Sequence, residues 1–227
     1  MLTEKENLKR LNERISNLDL KGNLVVAFDF DELVVPIHLT KVITRKIAKP
    51  VDLEILKKKS PVSFDGLIYL NDLLVGCDYK EYRKIRSQVS KETKWAEGFE
   101  SLIKDLAAKY TVIFISSGLK DICETKLNEI GFNSHNILAS ELKIENNQIT
   151  GSDLVISDNL KGFIITELRK NNKVISVGHS LGDRIMLDKS DIGIAFKSDI
   201  PSLGDYHVNS TKEISDIIKT AKVPTQN

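Results

Sequence analysis

Asp29 and Asp31 stand two residues apart at the end of an apolar run, Leu24-Val-Val-Ala-Phe. In extended chain the side chains alternate, so both carboxylates point the same way. Adjacent carboxylates repel, and one pKa rises unless a cation lies between them. A raised-pKa acid can protonate a leaving group while its ionised neighbour attacks as a nucleophile. An isolated Asp-x-Asp is more often an acidic cap on a strand end, so the pair needs company. Ser116-Ser117-Gly118 adds a hydroxyl in a turn and Lys161 adds an ammonium. Those two could hold a phosphoryl group and neutralise its charge during transfer. Gly178-His179-Ser180-Leu181-Gly182-Asp183 adds a tight turn and a carboxylate four residues after an imidazole. The two share a face if a helix begins there. Taken singly, Ser116 reads as a turn residue, Lys161 as a surface lysine and Asp183 as a first-turn helix acid.

Their placement joins them. Leu24–Phe30, Thr111–Ser116, Lys173–Val177 and Ile192–Phe196 read as buried strands, separated by helices at Glu100–Lys109, Lys120–Ile130, Lys161–Lys170, Asp183–Lys189 and Glu213–Lys219. This alternation implies a parallel sheet covered on both faces, an α/β fold. Ligands of such sheets bind outside the carboxyl ends of the strands, where the acid pair, the Ser-Ser-Gly turn and the Gly-His-Ser-Leu-Gly-Asp turn all fall. Leu142–Thr150 alternates around Asn146-Asn147 and predicts a hairpin. Residues 1–20 form an N-terminal amphipathic helix, with Leu8, Leu11, Ile15 and Leu18 as its stripe. Residues 37–95 read as an inserted helical subdomain, leaving 21–36 and 96–227 as the core. The insertion is broken by Pro50 and Pro61 and is rich in Lys41, Arg45, Lys46, Lys49, Lys57, Lys58 and Lys59. That run is either a solvated face or a basic rim for anionic ligands.

The 227 residues carry 33 Lys+Arg against 32 Asp+Glu, a balance unlike that of a dedicated nucleic-acid binder. With 41% hydrophobic residues wholesale disorder is excluded. No apolar run approaches the roughly 18 residues that cross a bilayer, so no membrane partner is expected. The charged first 20 residues lack the apolar stretch of a secretory signal. Cys77 and Cys123 form no CxxC pair and no disulfide framework, which points to a reducing, cytoplasmic compartment. A monomer and a homodimer are both open.

Val26-Ala-Phe-Asp29-Phe-Asp31, Phe114-Ile-Ser116-Ser-Gly, Lys161 and Val177-Gly-His-Ser-Leu-Gly-Asp183 resemble the four motifs of the haloacid dehalogenase (HAD) superfamily. Trp95-Ala-Glu-Gly-Phe-Glu-Ser-Leu-Ile-Lys, Asn136-Ile-Leu-Ala-Ser-Glu-Leu-Lys-Ile-Glu-Asn-Asn-Gln-Ile-Thr-Gly and Asp191-Ile-Gly-Ile-Ala-Phe are similar to its phosphoserine phosphatase branch, over roughly residues 23–218. The resemblance implies a Rossmann-like core with a helical cap inserted after the first motif, and phosphoryl transfer through an aspartyl-phosphate. It makes Asp29 the nucleophile and a metal ligand. Asp31 becomes the general acid/base and gives its backbone carbonyl to the metal. Ser116 and Lys161 grip the phosphoryl group, Ser117 and Gly118 complete the substrate-binding turn, and Asp183 is a further metal ligand. The implied cofactor is Mg²⁺ and the partner a small phosphorylated substrate.

Two departures bear on this. His179 stands where such phosphatases carry an Asp that binds Mg²⁺. Mg²⁺ wants hard oxygen ligands, whereas imidazole suits Zn, Cu, Fe or Ni. Asp183 then keeps Mg²⁺ at reduced affinity, or the site takes another divalent metal, or catalysis is lost and the chain is a phosphate-ligand binder or regulator. A metal-free hydrolase using Asp29 alone is weaker, because Asp31 suits leaving-group protonation. Glu32-Leu33 occupy the place of a frequent Gly-Thr pair. The cap Glu and Arg that hold the amino acid end of phosphoserine correspond to His38 and Asn71, so phosphoserine is not the expected substrate.

Overall fold

A computed structural model describes residues 2–47 and 63–221. Each central strand is an unbroken run of apolar residues, and its alternate side chains enter two separate cores. In β1 (Leu24–Phe28), Val25 and Ala27 join one core and Val26 and Phe28 the other. In β2 (Thr111–Leu119), Ile113 and Ile115 face the first, Val112 and Phe114 the second. The remaining strands are β3 (Ile137–Glu145), β4 (Gln148–Leu154), β5 (Lys173–Gly178), β6 (Ile192–Phe196) and β7 (Tyr206–Val208). They form one sheet in the order β4-β3-β2-β1-β5-β6-β7, parallel except for the β3–β4 pair. The chain leaves β1 toward β2 on one side and returns to β5 on the other. The carboxyl ends of β1, β2 and β5 are therefore neighbours at the point where the strand order reverses, where ligands of open α/β sheets bind.

Helices cover both faces. The helix α1 (Glu4–Ser16) lies on the Val25 face with Leu11 fully buried and Ile15 and Leu18 packed beside it; Leu8 of the expected stripe is exposed. On the other face α2 (Leu39–Ile47) contributes Leu39 and Ile43 to the core. It is followed by α3 (Phe64–Asp72), α4 (Tyr79–Glu92) and α5 (Phe99–Ala107), the last giving Phe99, Leu102 and Ile103. Next come α6 (Lys120–Leu127), α7 (Asp158–Arg169), α8 (Arg184–Lys189) and α9 (Thr211–Thr220). On α2, Arg45 and Lys46 are exposed and Lys41 is half-buried; Lys49, Lys57, Lys58, Lys59, Pro50 and Pro61 lie outside the described residues. No helix among the described residues is long and apolar enough to cross a membrane.

Two local features follow from residue type. Asn146 and Asn147 both take left-handed backbone, φ 49° and 62°, the conformation a two-residue hairpin turn needs. Asn7 of α1 is buried, and its amide both donates to the Val155 carbonyl (2.9 Å) and accepts from the Val155 N–H (2.8 Å). Arg10 bonds the Asp153 carbonyl and carboxylate, and Arg14 makes a two-pronged pair with Glu141. Polar side chains thus fasten α1 to the β3–β4 hairpin.

Candidate active site

β1 stops at Phe28, and the Asp29 N–H extends the ladder one residue by donating to the Val177 carbonyl (3.0 Å). Phe30 is fully buried, edge-on to Phe114 with ring centroids 6.0 Å apart, so the residue between the two acids is anchored in the core. Asp29 and Asp31 are themselves 5% and 7% exposed.

Lys161 projects from the first turn of α7 into the sheet end. Its Nζ lies 2.8 Å from Asp29 Oδ1 and 2.7 Å from Asp183 Oδ1, and all three side chains are buried. Burial works against the ammonium, but Asp183 and Asp29 push its pKa well up and keep it charged. Burial, and then the Asp183 charge, raise Asp29. Asp183 also meets a burial penalty, which Lys161 outweighs, so its pKa is lowered.

Asp183 comes to the site by a route other than the one expected. It does not share a helix face with His179, because α8 begins only at Arg184, after a 3₁₀ turn at Leu181–Asp183. Its Oδ2 instead accepts from the His179 N–H (3.0 Å), the Ser180 N–H (3.1 Å) and the Ser180 hydroxyl (3.1 Å). Short polar side chains favour such local backbone bonds where no helix has yet formed.

Asp31 faces the start of α2. Its Oδ1 accepts from the Leu39 N–H (2.9 Å), and Oδ2 is 3.1 Å from His38 Nδ1. Burial pushes Asp31 up to about 7; the Leu39 N–H opposes this and the Asp29 charge adds to it. Burial, then Lys41, pull His38 down to about 3, so the ring is neutral near pH 7. A proton on Asp31 therefore has an acceptor beside it. By counting from Asp29, His38 stands where the resembled family carries a cap Glu; nothing in its spacing signals the approach to Asp31.

Ser116 is buried, and its hydroxyl accepts from the Gly118 N–H (3.0 Å), which ties the turn. The strand runs through this turn to Leu119 with a shift of register rather than ending at Ser116. The Ser117 hydroxyl is buried without a hydrogen-bond partner among the described residues. Its carbonyl accepts from Ser140 (3.0 Å), whose hydroxyl in turn accepts from the Ile156 N–H (3.1 Å). Ser140, which the sequence reading did not single out, thus links the Ser116 turn to the chain leading into Lys161. Thr40 was also missed; its hydroxyl accepts from the Leu119 N–H (3.1 Å).

Gly118 is required by space. A Cβ there would sit 2.7 Å from Asp31 Oδ2, 2.9 Å from Thr40 Oγ1 and 3.2 Å from Ser116 Oγ. Gly118→Ala is expected to push the Asp31 carboxylate and the Thr40 hydroxyl aside and to lower stability by about 1–3 kcal/mol, the usual cost of overpacking. A melting curve checks this; an unchanged Tm would mean that these neighbours give way freely.

Among the described residues Asp29, His179 and Asp183 form the side-chain group suited to a metal, one donor atom from each lying within 4.8 Å of the others. His179 Nδ1 is 3.5 Å from Asp29 Oδ2 and from Asp183 Oδ2, and it is buried without a hydrogen bond. Two carboxylates and an otherwise unsatisfied imidazole nitrogen fit a divalent cation. The Asp31 side chain is not in this group.

No protein-family profile matches the chain. It is 26% identical over 164 residues to a phosphoserine phosphatase of Archaeoglobus fulgidus, a match covering 68% of this chain and 46% of that protein, less than half its length. Among solved structures, one titled as a phospho-aspartyl intermediate analogue of phosphoserine phosphatase superposes with a TM-score of 0.69 at 21% identity, covering 87% of this chain and 99% of the other. A HAD family hydrolase of Salmonella enterica superposes with a TM-score of 0.68 at 18% identity, covering 84% and 68%.

Proposed function

From the HAD fold of this chain and its likeness in sequence to the phosphoserine phosphatase branch, we propose that it hydrolyses phosphate monoesters of a small metabolite through an aspartyl-phosphate on Asp29. The observation that carries this reading is the meeting of Asp29, Lys161, Asp183 and the Ser116 turn at one end of the sheet, with Asp31 beside them. In the proposed sequence an Asp29 oxygen attacks phosphorus and the bond to the ester oxygen breaks. The departing oxygen takes the proton held by Asp31, whose pKa of about 7 lets it hold and release a proton near neutrality. Water then attacks the phosphorus of the acyl phosphate, gives a proton back to Asp31 and frees phosphate. Lys161 and the Ser116 hydroxyl hold the phosphoryl oxygens, with the backbone of Ser117 and Gly118 beside them. A divalent cation, Mg²⁺ by the family resemblance, would be held by Asp29 and Asp183 with the Asp31 carbonyl, and would neutralise charge on the phosphoryl group.

The described part of the 37–95 insertion, residues 37–47 and 63–95, is proposed as belonging to a cap for this site. Asn71 is buried and its amide donates to Ser152 Oγ (3.0 Å), while His38 turns to Asp31. Neither offers a charge to an amino acid, which supports a substrate other than phosphoserine. A panel of phosphate esters, an aryl phosphate and phosphoserine among them, tests the reading with divalent metal and with chelator. The expected result is metal-dependent release of phosphate, with phosphoserine among the poor substrates. No turnover of any ester with any metal sinks it.

A further inference from the structure

The two positions at which the motifs depart from the family pattern, Glu32 and His179, face one another across the site. His179 Nε2 lies 4.0 Å from Glu32 Oε2, while Nδ1 points to Asp29 and Asp183. Glu32 sits on left-handed backbone, φ 60°, a conformation uncommon for a residue with a side chain. The His179 main-chain N–H donates to Asp183 Oδ2 (3.0 Å), which fixes the base of the ring against one carboxylate.

We propose that His179 is itself a metal ligand through Nδ1, oriented by Glu32 at Nε2, and that it turns the site from Mg²⁺ toward a softer divalent ion such as Fe²⁺, Co²⁺ or Zn²⁺. This rests on the phosphatase reading for the identity of the site, and on three observations for the ligand. First, Nδ1 is buried and makes no hydrogen bond, although two carboxylate oxygens lie 3.5 Å away. Donor atoms bound to one ion at about 2.1 Å sit roughly 3.0–3.4 Å apart. A cation would draw in three donors that now lie within 4.8 Å of one another, and Asp183 Oδ2 would exchange one of the three hydrogen bonds it accepts from His179 and Ser180 for the metal. Second, the Glu32 carboxylate lies 4.0 Å from the other ring nitrogen, outside hydrogen-bond distance but on the side where metal-bound imidazoles commonly donate their N–H to a carboxylate. Third, the donors are two carboxylates and one imidazole. Nitrogen favours the later first-row metals, whereas Mg²⁺ takes oxygen almost alone.

Metal binding, not turnover, tests this. Metal-free protein is titrated with Mg²⁺, Mn²⁺ and Co²⁺ by calorimetry, and the Mn²⁺ complex is probed by electron spin-echo spectroscopy for a directly bonded ¹⁴N. The wild type is expected to show the nitrogen signature. His179→Asp should lose it and narrow the Co²⁺-over-Mg²⁺ preference at least tenfold. Glu32→Gln should weaken Co²⁺ binding about tenfold, the lower end of such effects, with the nitrogen signal kept. Absence of ¹⁴N coupling in the wild type, or a preference unchanged in His179→Asp, overturns the proposal. The wild-type spectrum decides even if His179→Asp fails to fold. An imidazole-bound metal without turnover would fail the phosphatase reading and leave this one intact; turnover on an all-oxygen metal site would do the reverse.

Discussion

Asp29→Asn is expected to lower turnover by about 10⁴-fold or more while leaving the fold intact. Removing a covalent nucleophile costs at least that order in enzymes that depend on one. An amide nitrogen or oxygen cannot replace the carboxylate as attacking group, and binding of phosphate by Lys161 and Ser116 does not restore the step. Stability should move the other way. Asp29 is nearly fully buried beside Asp183, and burial and that like charge raise its pKa, so ionising it opposes folding. Neutral Asn keeps an oxygen for Lys161 and removes the repulsion, and the metal-free variant should melt at or above the wild-type temperature. Acid-quenched wild type under turnover should carry a phosphoryl adduct on the peptide holding Asp29, and the variant none. Activity within tenfold of wild type, or an adduct on another residue, would remove Asp29 from its proposed role.

Lys161→Met has the largest expected effect on stability. The ammonium is the shared partner of two carboxylates that are 5% and 0% exposed, and Met fills a similar volume without charge. Removing one partner of a buried ion pair costs about 3–5 kcal/mol, because the remaining charge has lost its compensation. For a chain of this size that is a fall of roughly 6–20 °C in Tm. The measurement belongs in chelator, so that no cation substitutes for the lysine. The pH dependence gives a second readout. Asp183 has a folded pKa below its ordinary 3.8, so its stabilisation is full above that value and is lost as pH falls through the folded one. Lys161 has a folded pKa above its ordinary 10.5, so its contribution is full below 10.5 and is lost as pH rises through the folded value. Wild type therefore keeps the pair across neutrality. In the variant both carboxylates lose their cation and rise, so acid relieves the strain and the gap to wild type should narrow between pH 7 and pH 5. Urea unfolding at the two values checks this, and a gap that is unchanged would argue against two buried charges.

The strand-end residues were legible because their signal is local. An apolar run ending in acid, a Ser-Ser-Gly and a Gly-rich turn each mark where a buried strand leaves the sheet, and the α/β order brings those ends together. The Asn146-Asn147 hairpin was legible for a similar reason, since both residues tolerate the left-handed backbone it needs. The rest depends on distant packing. β7 is three residues long with Tyr206 and His207 exposed, too short to show a period. β2 continues past Ser116 because Leu119 pairs with Ser140 of β3 across a shift of register, which residue type does not signal. His38 meets Asp31 only because the chain after β1 doubles back into α2, and Glu32 meets His179 across more than 140 residues of sequence.

The polar grip of α1 on the hairpin has a consequence for how copies of this chain meet. β4 is the last strand of its side of the sheet; near its end the Asp153 carbonyl is taken by Arg10, just past it Val155 has both backbone groups taken by Asn7, and near its start Ile149 pairs with the Gly76 and Cys77 backbone. Such bonds close valences through which a neighbouring molecule could add a strand. A helix that looks like a surface decoration in the sequence thus closes one end of the outer strand, and its polar hold rests on Asn7, Arg10 and Arg14, side chains that no hydrophobic pattern would single out.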